Sequence, residues 1–285
     1  MIRDYFGYEG KRVVVTGAAS GMGAAATKML IDLGAEVYAL DVREVDLPVK
    51  KYIVTNLLKK ESIDAAVAKL PAKIDCIFSC AGVAGPTYRG SSFSPVDVVT
   101  INFLAARHLI EKLLPRMGGE SAIAMISSVG GMGWQANMPT VMKLLETNGF
   151  DKGRAWLEAN KDDPQAIGGP PENGRPYCFS KECLILYAKL RAYELAAKNM
   201  RINTLSPGNT TTAMTPDFDA IYGKENTSAV LSPIGRNATP EEQAQPLVFL
   251  NSDMATYISG LDLQVDYGFA GMCSTGGAAL PVPGK

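Results

Sequence analysis

Residues 12–23 constrain this chain more than any other stretch. Arg12-Val13-Val14-Val15-Thr16 is β-branched and reads as a short buried strand. It runs straight into Gly17-Ala18-Ala19-Ser20-Gly21-Met22-Gly23, and then into Ala24 to Ile31, a good helix sequence. Strand, glycine turn and helix N-terminus in that order build a cradle for a pyrophosphate. The glycines admit close backbone approach, and the first helical N–H groups face the anion. The spacing is TGxxxGxG, carried by Thr16, Gly17, Gly21 and Gly23, rather than GxGxxG.

The next strand, Glu36 to Asp41, ends in an acid 18 residues beyond Gly23. A carboxylate there accepts hydrogen bonds from both adenosine ribose hydroxyls and repels a 2′-phosphate, which favours NAD(H) over NADP(H). Arg43 pulls the other way, because a guanidinium accepts a phosphate. Tyr52 to Leu57 reads as a strand end, Glu61 to Leu70 as helix, and Ile74 to Ser79 as the fourth strand. Ser94 or Pro95 opens a long helix through Asn102 to about Arg116, and Ser121 to Ser128 is the fifth strand. This alternation predicts a single-domain α/β fold on a doubly wound parallel sheet. Ligands on such sheets bind beyond the carboxyl ends of the strands, where Gly17, Asp41, Asn56, Gly82 and Ser128 fall.

The rhythm breaks over about 132–172. That insertion has apolar residues at helical spacing (Val141, Leu144, Leu145), a second helical stretch around Trp156, and a Gly-Gly-Pro-Pro close at 168–171. Two short helices on the surface, a lid and an oligomer contact all fit. The expectation is a segment that shapes one side of the active site or an interface. Tyr177 and Lys181 follow, four residues apart and so on one helix face. A phenol titrates near ~10, and an adjacent ammonium favours the phenolate, as general acid–base work requires. The helix runs on through Leu184, Leu186, Tyr187, Leu190 and Leu195, an amphipathic run expected to pack on the sheet. Arg201 to Ser206 is the sixth strand and Leu261 to Val265 the seventh, with a helix starting at Thr239-Pro240 between them. Residues 213–238 read as a loop with apolar character (Met214, Phe218, Ile221, Tyr222, Val230, Leu231), a substrate cover. The tail from Gly268 folds over the site, crosses to a partner, or is partly disordered.

Composition narrows the chemistry. The 285 residues are 47% hydrophobic and 20% charged with a net charge of −1, so neither nucleic acid nor an anionic membrane is expected as a partner. No signal segment and no apolar run near ~20 residues is present, which predicts a cytoplasmic chain. Five cysteines without CxxC spacing read as buried or semi-buried thiols. His108 is the only histidine, which leaves little room for a Ser-His-Asp hydrolase or a His-rich metal site; no metal is expected.

With these pieces in place, the chain resembles the classical short-chain dehydrogenase/reductase family over essentially its whole length. The resemblance rests on TGxxxGxG at 16–23, Asp41, Ala81-Gly82, Asn102, Ser127-Ser128, Tyr177-x-x-x-Lys181 and Pro207-Gly208. It implies a Rossmann fold with a seven-stranded sheet, NAD(H) as cofactor, and Tyr177 as the acid/base. Lys181 would lower the phenol pKa and hold the nicotinamide ribose, Ser128 would bind the substrate oxygen, and Asn102 would position a water. The cofactor wall it implies is Gly17, Ser20, Gly21, Met22, Gly23, Asp41, Asn56, Leu57, Cys80, Ala81, Gly82, Pro207, Gly208, Thr210 and Thr212, with Tyr177 and Lys181.

Three departures stand out. Cys80 replaces the usual Asn, Asn56 replaces the usual Asp, and Ser128 and Tyr177 lie 49 residues apart, far more than the family norm. The insert, Cys80-Ala81-Gly82 and Asp41-Val42-Arg43 are similar to the bacterial 3α-hydroxysteroid dehydrogenase/carbonyl reductase subgroup. That implies oxidation of a secondary alcohol to a ketone and the reverse, on a bulky apolar small molecule such as a 3α-hydroxysteroid or bile acid. It also implies a homo-oligomer, with a dimer favoured over a tetramer. Another bulky or aromatic alcohol is the alternative substrate, and a non-catalytic cofactor-sensing protein the alternative function.

Overall fold

The computed structural model describes residues 5–85, 87–88, 91–169, 174–224 and 234–277. The principal strands are β1 (Arg12–Thr16), β2 (Glu36–Asp41), β3 (Lys51–Val54), β4 (Cys76–Ser79), β7 (Ala122–Ile126), β8 (Arg201–Pro207) and β9 (Asp262–Val265). They pair in parallel in the order β3-β2-β1-β4-β7-β8-β9. The remaining two, β5 (Thr87–Tyr88) and β6 (Ser91–Ser92), form a two-residue antiparallel pair outside the sheet. Strand order reverses between β1 and β4, so a crevice opens above their carboxyl ends.

Both faces of the sheet are covered, which is why the strands read as continuous apolar runs rather than alternating ones. Val13 and Val15 belong to one core, with Val37, Ala39, Phe78 and Leu205, under helices α1 (Gly21–Asp32) and α9 (Pro240–Asn251). Val14 points the other way into a second core with Leu40, Ile77, Ile123 and Ile202. That layer is closed by α2 (Lys60–Ala68), α3 (Pro95–Val99), α4 (Ala105–Leu113) and α7 (Arg175–Ala196). Thr239 caps α9 at the expected helix start and forms a capping box, its side chain accepting from Glu242 N while Glu242 returns to Thr239 N.

The long helix expected from Pro95 is not uniform. Between α3 and α4 it widens into a π turn at Thr100–Leu104. Asn102 sits in the widened turn. Likewise the loop expected over 213–238 contains a helix, α8 (Thr215–Tyr222), while Val230 and Leu231 lie outside the described residues. The tail from Gly268 begins with a short helix, α10 (Phe269–Ser274).

A 3-10 stretch (Val129–Gln135) leads into the inserted segment, which carries helices α5 (Met138–Leu145) and α6 (Phe150–Ala159). It packs on α4 and α7, which corrects the expectation of a one-sided amphipathic α7. Residues 177–188 are buried all round except half-buried Cys178, because the insertion supplies a second apolar cover. Only beyond it does α7 face solvent, with Leu190 and Tyr193 exposed. Trp156 stacks on Phe179 at 6.1 Å, and buried Glu182 binds Arg175 and Asn137.

Arg107 on α4 is the other fastening. It is buried and donates to the Leu144, Leu145 and Gly149 carbonyls and the Thr147 hydroxyl, satisfying the orphan carbonyls at the end of α5. Burial lowers its pKa, so the guanidinium is held against a desolvation cost by these acceptors. Arg107→Ala is expected to cost about 2–4 kcal/mol, since it strands several buried acceptors at once. Urea denaturation would measure it, and a loss below about 1 kcal/mol would remove this account of how the insertion is held.

His108 ties α4 to α2 and to the insertion. Its Nε2 lies 2.8 Å from Asp64 Oδ1, and its ring meets Phe150 edge-on. All five cysteines are free thiols; Cys76 and Cys183 are buried, whereas Cys273 is exposed, contrary to the expectation for that residue. No described helix is long and apolar enough to cross a membrane.

Candidate active site

The glycine turn is shaped by contacts that admit no side chain. Gly17 has φ +71°, and a Cβ there would lie 2.7 Å from the Ala81 backbone. A Cβ on Gly23 would collide with the Gly17 carbonyl oxygen. Thr16 ties this turn to the next strand end, its Oγ1 accepting from Cys80 N and Ala81 N. The result is an α1 N-terminus open to the crevice. Ser20 stands at its N-cap position without making a side-chain cap, and no acidic residue occupies the first turn. Those unpaired amides fit an anion.

Asp41 closes the far end of the crevice. Its Oδ2 accepts from Ala19 N at 3.0 Å and its Oδ1 from Arg43 N at 3.0 Å, which fixes the carboxylate while leaving lone pairs for two hydroxyls. Asn56 turns back on its own chain, Oδ1 accepting from Leu58 N. From the β8 side come Thr210, whose Oγ1 donates to Gly208 O, and Thr212, whose methyl lies 3.5 Å from the Cβ position of Gly21. Pro207 and Gly208 end β8 against β9, Gly208 being packed on Asp266.

The proposed chemical end lies where β4, β7 and α7 meet. The paired serines separate in role. Ser127 Oγ donates to the Lys181 carbonyl at 3.0 Å inside the fold, whereas Ser128 Oγ accepts from Gly130 N and is hydrogen-bonded to the Tyr177 phenol. Lys181 is buried, and its Nζ donates to the Ile126 carbonyl at 2.9 Å while lying 5.3 Å from the Tyr177 ring centroid. Gly82 keeps that approach clear, since a Cβ there would come 3.2 Å from Asn102 Oδ1 and 3.7 Å from Lys181 Nζ.

Burial dominates the titration of both groups. It raises the Tyr177 pKa, against a lowering by the Ser128 hydrogen bond, and it lowers Lys181 to about 8. The direction for Tyr177 is opposite to the one expected from Lys181. The ammonium directs a hydrogen bond to Ile126 and stands off the ring, so desolvation of the phenol outweighs it. Cys80, where the family has Asn, is itself pushed up to about 12 by burial and remains a neutral thiol.

Asn102 serves differently from the rest. Its Oδ1 accepts from Val83 N, and its Nδ2 donates to Val83 O and Ser180 Oγ, so it pins the 82–83 segment to α7. It stands behind the cavity wall. The remaining catalytic and cofactor-wall residues implied by the resemblance line one cavity of about 1030 Å³. No residue of 132–169 lines it among the described residues, so the insertion braces the Tyr177 helix instead of shaping the cavity.

Sequence alone does not single out Val83, Phe93, Ile101 or Phe269, which add apolar wall. Ile101 carries a helical signal only, and Phe93 none beyond preceding a cap. Phe218 reads from sequence only as part of an apolar loop. In the structure α8 sets its ring edge-on to Tyr177, with centroids 5.1 Å apart.

Comparison with known proteins places this arrangement. The short chain dehydrogenase family pattern matches residues 11–140, and one described as enoyl-(acyl carrier protein) reductase matches residues 165–270. The chain is 31% identical over 261 residues to coniferyl-alcohol dehydrogenase of Pseudomonas sp. (strain HR199 / DSM 7063), covering 91% of this chain and 96% of that protein. It is 29% identical over 260 residues to 3-alpha-hydroxysteroid dehydrogenase/carbonyl reductase of Comamonas testosteroni, covering 90% and 95%. In structure it is similar to 3-alpha-hydroxysteroid dehydrogenase from Pseudomonas sp. B-0831, solved as a complex with NADH, with TM-score 0.75, 25% identity, and coverage of 93% and 99%. Sequence over 91% of the chain and the likeness in fold agree, and the chain is therefore an oxidoreductase of the short-chain dehydrogenase family.

Proposed function

We propose that this protein is an NAD(H)-dependent dehydrogenase that interconverts a secondary alcohol and a ketone on a bulky apolar substrate, with a 3α-hydroxysteroid or bile-acid hydroxyl as the first choice. The observation that carries this reading is the Ser128–Tyr177–Lys181 group at one end of a cavity whose other end is a glycine cradle and a carboxylate. The residues present fit a dinucleotide. Gly17 and Gly23 let the turn close tightly against Ala81 and its own backbone, α1 offers unpaired amides beside Gly21, and Asp41 offers acceptors to ribose hydroxyls. The bound nicotinamide supplies the two-electron redox chemistry. Ser128 then holds the substrate oxygen while the Tyr177 oxygen takes its proton in oxidation and returns one in reduction. Lys181, charged near neutral pH, steadies the phenolate and reaches toward the nicotinamide ribose. Phe218, Phe93, Val83 and Ile101 exclude water and favour an apolar carbon frame.

A second substrate reading, an aromatic alcohol, is favoured by two observations. Phe218 lies edge-on to Tyr177, and the relative at 31% identity is named a coniferyl-alcohol dehydrogenase. NADH formation across a panel of 3α-hydroxysteroids, bile acids and arylallylic alcohols tests both. Turnover on none of them, with reduced cofactor bound normally, would count against the dehydrogenase reading and for a cofactor-sensing protein.

Asp41 sets the cofactor preference in this proposal. Asp41→Ala is expected to bring the kcat/KM ratio of NAD+ to NADP+ down by about tenfold or more, through lost hydroxyl contacts and lost repulsion of the 2′-phosphate. An unchanged ratio would sink the assignment. The protein is also proposed to work in the cytoplasm as a homodimer, because the insertion covers the outer surface of α7 over 177–188. Light scattering that returns a tetramer would overturn that assembly.

A further inference from the structure

Glu182 is a buried carboxylate that the scheme above leaves without a role. It follows Lys181 on α7 and accepts from both terminal nitrogens of Arg175, at 2.7 and 2.9 Å, and from the Asn137 amide at 2.6 Å. Arg175 and Asn137 also both donate to the Gln165 carbonyl, so the network closes on itself. Its two arms are placed to matter for the chemistry. Arg175 opens α7 just before Tyr177, and Asn137 follows the 3-10 stretch that leaves Ser128. Ser128 and Tyr177 stand 49 residues apart in the chain, and one carboxylate joins the two ends of that excursion. A second line of contact runs alongside. Ser127 Oγ donates to the Lys181 carbonyl, a Cβ on Gly131 would lie 2.9 Å from the Lys181 carbonyl carbon, and one on Gly133 would lie 3.3 Å from Glu182 Oε1. The chain leaving Ser128 is thus seated on α7 at Lys181 and Glu182.

We propose that Glu182 is a positioning residue: by clasping Arg175 to Asn137 it sets the approach of Ser128 to Tyr177. The inference rests on the dehydrogenase reading, in which those two hydroxyls share the substrate oxygen. An excursion of this length leaves the separation of its ends to whatever closes it. A bidentate guanidinium–carboxylate pair fixes both distance and plane, and burial shields it from salt. A misplacement on the order of 1 Å at a reacting centre costs up to ~100-fold in rate. Arg107, by contrast, fastens the insertion to α4 through Leu144, Leu145, Thr147 and Gly149, which belong to neither arm.

Steady-state oxidation of the alcohol panel above, followed across pH, tests this. Glu182→Gln keeps the side chain's shape and is expected to lower kcat by about tenfold or more, with KM and binding of reduced cofactor within about twofold of wild type. Its rate should also climb at higher pH than the wild-type rate, because the Ser128 hydrogen bond that favours the Tyr177 phenolate is weakened. Every variant leaves Lys181 and the Cys178 thiol beside the phenol. Arg175→Met should reproduce both effects, and Arg175→Lys, which keeps the charge without the fork, should recover part of the rate. Arg107→Ala loosens the insertion elsewhere and should lower stability while leaving the pH profile in place. Should Glu182→Gln fail to fold, the two Arg175 variants carry the test. An unchanged kcat and pH profile in the clasp variants, or a profile moved as far by Arg107→Ala, would overturn the proposal. A wild-type protein that oxidises none of the panel would overturn the dehydrogenase reading and this inference with it, a result distinct from either.

Discussion

Tyr177→Phe is expected to lower turnover by about 10²–10⁴-fold while leaving binding of the reduced cofactor within about twofold of wild type. The substitution removes one oxygen and keeps the ring. The edge-on contact with Phe218 at 5.1 Å and the packing against Val83, Val98 and Ile101 survive, so the wall of the cavity is preserved. What goes is the proton acceptor and the hydrogen bond shared with Ser128. Burial raises the Tyr177 pKa, so in oxidation the wild-type rate should climb with pH as the phenolate fraction grows. The residual rate of the Tyr177→Phe variant should lose that climb. Turnover within tenfold of wild type, or an unchanged pH profile, would show that another group moves the proton. Cofactor binding is followed separately by fluorescence titration, which distinguishes lost chemistry from a collapsed site.

Tyr177 and its partners are visible in the sequence, and the reason is local. The β-branched run at 12–16, the glycines at 17, 21 and 23, and the four-residue step from Tyr177 to Lys181 each encode geometry over less than two helical turns. The doubly wound parallel sheet followed because strands alternate with helices and both faces are buried. What sequence did not disclose depends on contacts far apart in the chain. The insertion's place on α4 and α7 is set by Arg107 reaching carbonyls some forty positions on, and by Trp156 meeting Phe179. No periodicity announces such pairs. The same holds for α7, which a one-dimensional reading makes amphipathic and a second cover makes buried. The π turn at Thr100–Leu104 was equally silent, since no glycine or proline marks it; Asn102 there engages Val83 and Ser180 rather than the cavity. Desolvation, finally, is a property of the packed interior, and it reverses the sign expected for Tyr177.

Lys181 shows the same conflict between burial and function, and its removal should separate the two. Lys181→Met is expected to lose turnover by about 10²-fold or more, yet to be at least as stable as wild type at pH 7. The folded pKa of about 8 lies below the ordinary lysine value of 10.5, because burial penalises the ammonium. Below pH 8 the residue is charged in both folded and unfolded chains, and the folded chain bears the full desolvation cost, roughly 3 kcal/mol at 1.4 kcal/mol per pKa unit. Between about 8 and 10.5 the unfolded chain binds more protons than the folded one, so wild-type stability rises with pH across that window from this residue. Methionine keeps the stem's packing and carries no such cost, although it leaves the Ile126 carbonyl without its donor, a loss of about 1 kcal/mol. The net expectation is a gain of about 1–2 kcal/mol at pH 7 that shrinks as pH approaches 10 and disappears above it. Denaturation midpoints of the two proteins at several pH values read this directly. A variant clearly less stable at pH 7, or a difference that ignores pH, would mean that the ammonium is not held against its solvation, and that Lys181 is structural before it is catalytic.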